Sequence, residues 1–183
     1  AEYEGHDIII TGSGPGATVT IAISPSGELT SVTKSSKATR ADVDAAFDMA
    51  ISTGKVKYLN GFETVLPDKY AFYGFEPVAR LKFNPEFQPD GWDYNTYRKY
   101  NNGQPDVVFM RFTGNLGGTY DRTGFPEVQT YEAGLELAAQ DVTAEAGTVL
   151  RPDEQPVEGG FNSQAEMEQY ITEEFLPIAK KLG

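Results

Sequence analysis

The chain of 183 residues contains no cysteine and a single histidine, His6. Disulfides, thiolate nucleophiles and thiolate metal sites are therefore excluded, and so is a zinc site of the multi-histidine kind. A serine–histidine nucleophilic site would have to be built on His6, which reads as an ordinary surface or strand-edge residue near a terminus. Basic side chains are also scarce, 15 against 27 acidic, for a formal charge of −12. Nucleic acid and anionic membrane surfaces are poor partners for such a chain, because both need a basic stripe. No apolar run approaches the ~18 residues of a membrane-spanning helix.

Hydrophobic residues make up 39% and aromatics 12%, enough for a packed core in a chain of single-domain length. We expect one domain over residues 1–183. The acidity is uneven: residues 1–125 carry 12 basic and 15 acidic side chains, net −3, and residues 126–183 carry 3 and 12, net −9. That second part reads as a solvated acidic face, with a docking surface for a basic partner as the functional alternative. Absence of cysteine beside 19 glycines and 10 tyrosines leans toward an extracytoplasmic or secreted protein.

The stretch Asp106–Gly124 organises the rest. Its run Val107-Val108-Phe109-Met110-Arg111-Phe112 reads as a largely buried strand, since it is short, apolar and bounded by turn residues. The glycine-rich loop 113–124 that follows brings Tyr120, Asp121 and Arg122 together. Loops held by a rigid strand are common places for binding groups.

Earlier in the chain, Ile8–Ile10, Ala17–Ser24 and Glu28–Thr33 read as strands, with Val19, Ile21 and Ile23 on one face and Pro25-Ser26-Gly27 as a turn. Gly12-Ser13-Gly14-Pro15-Gly16 has the look of a phosphate loop but precedes a strand instead of a helix, so it reads as a plain connection. A helix over about 40–53 is capped by Thr39 with Asp42 and closed by Gly54. Strands are expected at Val56–Leu59, Tyr70–Phe75 and Pro77–Phe83, a short helix at Tyr94–Tyr100, and a helix over Val128–Gln140 weakened by Gly134. Residues 148–150 read as a short strand. A second amphipathic helix, about 163–181, carries a capping box at Ser163 and Glu166 and a kink at Pro177. The expected fold is α+β: a mainly antiparallel sheet with the 40–53 and 163–181 helices packed on it.

Three kinds of chemistry can be weighed. Trp92, Tyr94, Tyr97, Tyr100 and Tyr120 combine ring faces with polar tips, as carbohydrate stacking and protein interfaces both require, or they cover the edge of a core. Arg98, Arg111 and Arg122 could hold an anion beside them, with Asn115 on the same loop. Asp90, Asp93, Asn95, Asp106 and Asp121 offer oxygen ligands of the type calcium prefers, but not at EF-hand spacing, and turn-forming Asx residues explain them equally well. A glycan hydrolase would need two carboxylates ~5–9.5 Å apart, for which Asp93 and Asp121 can be nominated.

The leading expectation is a non-catalytic binding or assembly domain with a protein or carbohydrate partner. Self-association into a homo-oligomer is a further possibility. Its binding residues would be Trp92, Tyr94, Tyr97, Tyr100, Arg111, Asn115, Tyr120, Asp121 and Arg122, on the loops at about 87–100 and 113–124. No metal, cofactor or catalytic residue is singled out. The alternatives are the carboxylate-dependent glycan hydrolase and a small-ligand carrier.

Overall fold

The computed structural model describes residues 3–140. The expected helix at 163–181 and strand at 148–150 lie outside them. The α+β class holds, with three α-helices and two sheets among the described residues, whose pairings are antiparallel except one. The chain divides into two compact units, to which residues 3–57 and 58–140 belong.

In the first unit, β1 (Asp7–Gly14), β2 (Ala17–Ile23) and β3 (Leu29–Lys34) form an antiparallel meander. The alternation in β2 does what its sequence demands, burying Val19, Ile21 and Ile23. Helix α1 (Arg40–Ser52) packs over β1 and β2 and buries Val43, Ala46, Phe47 and Ala50. Its capping box is complete, with the Thr39 hydroxyl accepting from the Asp42 amide and the Asp42 carboxylate from the Thr39 amide at 2.8 Å. Ser13 donates to the same carboxylate at 3.1 Å, which ties the glycine-rich end of β1 to the helix start.

In the second unit, β4 (Tyr58–Phe62), β6 (Val107–Phe112), β5 (Phe75–Leu81) and the two-residue β7 (Glu127–Val128) lie in that order. The run that organises the sequence is thus an interior strand, paired on both sides, with Val108, Phe109 and Met110 fully buried. Helix α2 (Leu66–Phe72) covers one face and α3 (Tyr131–Ala139) the other, where Phe109, Tyr58, Ala79 and Ala138 form a core.

Several expected elements differ. The strand expected at Tyr70–Phe75 is the end of α2, a turn, and the start of β5. Pro67 sits in the first turn of α2, where its missing N–H costs nothing, and Leu66 and Tyr70 are buried one turn apart. The strand expected from Val56 begins at Tyr58, Val128 belongs to β7 and not to the third helix, and β5 ends before Phe83. Residues 94–100 form successive turns rather than a helix.

Candidate functional site

The strongest polar cluster is on the second unit and centres on Glu63, just beyond β4. Its carboxylate accepts a two-pronged pair from Arg80 of β5 at 2.7 and 3.2 Å. It also accepts the Tyr120 hydroxyl at 2.9 Å and Arg122 Nε at 3.0 Å. Only 8% of the Glu63 side chain and 19% of that of Arg80 is exposed, so this pair is shielded from water. Arg80 also donates to the Arg122 carbonyl at 3.1 Å and lies 4.8 Å from the centre of the Phe125 ring. Loop 113–125 is thereby strapped to the sheet by its own tyrosine, arginine and phenylalanine.

Electrostatics follow from these contacts. Burial pushes the Glu63 carboxyl up, but the bonds from Arg80 and Tyr120 and the charges of Arg80 and Arg122 outweigh it, and the group is held below its ordinary range. Burial and the neighbouring Glu63 carboxylate both raise Tyr120, so its phenol stays a donor. A second buried carboxylate, Asp106, accepts the Phe83 amide at 3.1 Å and Lys82 Nζ at 3.2 Å, and lies 3.7 Å from Arg80 Nε.

The aromatic segment has a different character. Trp92 stacks on Tyr97, with ring centres 4.2 Å apart and planes 10° from parallel. It also meets Phe62 and Phe83 at 4.9 and 5.5 Å. Its indole N–H donates to the Gly103 carbonyl at 2.9 Å. Gly103 adopts φ +84°, and a Cβ there would lie 2.5 Å from the Tyr94 carbonyl oxygen, so only glycine fits this close approach. Trp92 and the buried Tyr97 are therefore packing groups at the sheet's edge. Tyr94 is 37% exposed, donating its hydroxyl to Gln88, and Phe87 is 68% exposed. Tyr100 carries Lys99 Nζ 5.0 Å above its ring.

The remaining expected residues are scattered among structural tasks. Arg111 donates to the Leu137 carbonyl in the last turn of α3, a cation at a helix C-terminus, which pins α3 to β6. Asn115 donates to Glu76 at 2.8 Å. Asp93 accepts from the Asn95 amide and the Thr96 hydroxyl, and Asp121 from the Thr123 amide and hydroxyl. These are Asx turns. A side-chain bond from Thr96 lowers Asp93, and a backbone bond from Thr123 lowers Asp121. Among the described residues no three His, Asp or Glu side chains form a group able to hold a metal ion.

The structure thus joins Tyr120 to Arg122, and Trp92 to Tyr97, but gathers the nine expected residues into no single site. In sequence Asp106 reads only as one of several oxygen ligands, Arg80 only as a strand residue, and Glu63 carries no signal at all. The alternation around Arg80 indicates a half-exposed strand, and nothing local marks Glu63 as its partner 17 positions away. No family model, curated protein or solved structure matches this chain.

Proposed function

We propose that this protein is a non-catalytic binding domain that docks a protein partner through the aromatic segment 84–104, with the strapped loop 113–125 as part of the same rigid unit. The observation that carries this reading is the exposure of Phe87 and Tyr94 on an immobilised frame. Large rings held rigid at a surface contribute contact area at little entropic cost, as interface anchors do. A sugar platform is less well supported, because the Trp92 face is already taken up by Tyr97. The polar cluster supports a structural role as well, since Glu63 spends its acceptor capacity on Arg80, Tyr120 and Arg122.

The glycan-hydrolase alternative gains nothing from Asp93 and Asp121. A general acid needs a raised pKa, and both are lowered within their own turns. The cysteine-free, tyrosine-rich composition supports a location outside the cytoplasm.

The test is co-purification of the full chain from its source. A partner identified by mass spectrometry is then rebuilt with the chain from purified components. Phe87→Ser with Tyr94→Ser is expected to weaken that binary complex at least ~10-fold while leaving the melting transition in place. Undiminished binding, or turnover on a glycan panel, would overturn the reading.

A further inference from the structure

Strand β1 is an edge: among the described residues it pairs only with β2. Edge strands in soluble proteins are usually blunted by lysine, proline or inward-pointing charge. Residues Asp7–Thr11 contain neither lysine nor proline, and their one charge, Asp7, lies at the strand's end on the inner face with Ile9, where Lys55 engages it. A register shift between Thr11 and Gly14 limits the regular ladder to those five residues. Ile8 is 48% and Ile10 62% exposed on the face opposite the buried Ile9. This strip belongs to the first unit, and Phe87 and Tyr94 belong to the second.

We propose that β1 is a self-association edge, pairing antiparallel with β1 of a second copy about a two-fold axis at Ile9. Two features select a second copy as the occupant. The triplet Ile8-Ile9-Ile10 is symmetric about its centre. The two-fold register therefore sets Ile8 against Ile10 of the second copy, and the reverse, giving two identical apolar cross-strand pairs. Charge points the same way. A chain of net −12 resists self-contact wherever acids meet, and in this register Asp7 faces Thr11 of the second copy, with the two Asp7 carboxylates at opposite ends of the ladder. The result is a continuous six-stranded sheet. Five residues per copy bury less than the ~1,200 Å² of a standard interface, so the dimer is weak and concentration-dependent.

Sedimentation velocity of the full chain from about 1 μM to about 1 mM tests this. A monomer–dimer equilibrium is expected, with Ile8→Lys plus Ile10→Lys raising its Kd at least ~10-fold through opposed like charges. Phe87→Ser should leave the Kd unchanged. Because the chain has no native cysteine, an oxidative cross-linking pair gives an answer independent of the lysine variant's folding. Ile8→Cys mixed with Ile10→Cys should form a disulfide-linked dimer in higher yield than either variant alone. A monomer at every concentration, a dimer indifferent to the lysines, or equal cross-linking in all mixtures would each overturn the proposal. So would a monomer whose outer β1 amides resist hydrogen exchange, since the edge would then be covered by the chain itself.

Discussion

Glu63 and Arg80 form a shielded pair, and loss of the Glu63 carboxylate leaves Arg80 with only the more distant Asp106, 3.7 Å away, as counter-charge. Glu63→Gln should destabilise the protein by on the order of 3 kcal/mol, read by denaturant unfolding. Tyr120→Phe, which removes one hydroxyl and keeps the ring against Phe125, should cost about 1 kcal/mol. The pH dependence has a defined sign. The folded pKa of Glu63 lies below the ordinary 4.5, so its stabilisation is complete above that value and is lost as pH falls through the folded pKa. Glu63→Gln should therefore flatten this part of the acid limb of the stability curve; an unchanged limb would show that the cluster carries no such linkage. None of this is legible along the sequence, because a glutamate after a strand and an arginine in a half-exposed one have the composition of solvated surface.

At the scale of elements, local rules succeeded where the chain's own periodicity decides the structure. Thr39 and Asp42 cap α1 and the alternation of β2 buries one face, because both depend on residues within a few positions. They failed at Tyr70–Phe75, where aromatic residues suggested a strand and the first-turn Pro67 was the better signal. Gly134 shows a third situation. By propensity it weakens α3, yet a Cβ there would sit 2.3 Å from the Phe109 ring, so its absence lets the helix close on the sheet. Replacing an interior helical glycine by alanine ordinarily gains about 1 kcal/mol. Here Gly134→Ala should lower the melting temperature, with overpacking of about 1–3 kcal/mol exceeding that gain. A rise in melting temperature would show that α3 shifts freely.

Over the whole molecule, charge governs contact between copies. The net charge of −12 opposes association at neutral pH without forbidding it, and vanishes near the sequence pI of about 4.5. Light scattering should show association rising steeply toward that pH. The component due to β1 pairing should be missing in Ile8→Lys plus Ile10→Lys. No helix among the described residues is long and apolar enough to cross a membrane.

What the sequence determined by itself was the class and the exclusions: α+β, acidic, without thiol chemistry, with β6 largely buried and a glycine-rich loop after it. Those follow from composition and from patterns only a few residues long. The tertiary structure decided which side chains meet. Trp92 and Tyr97 became packing, Arg111 a clamp on α3, and Glu63 the anchor of loop 113–125. Their partners stand 5, 26 and 57 positions away. The two longer separations leave no periodic trace in a single chain. The stacking of Trp92 on Tyr97 depends on irregular turns that have no period, so only folding brings these residues together.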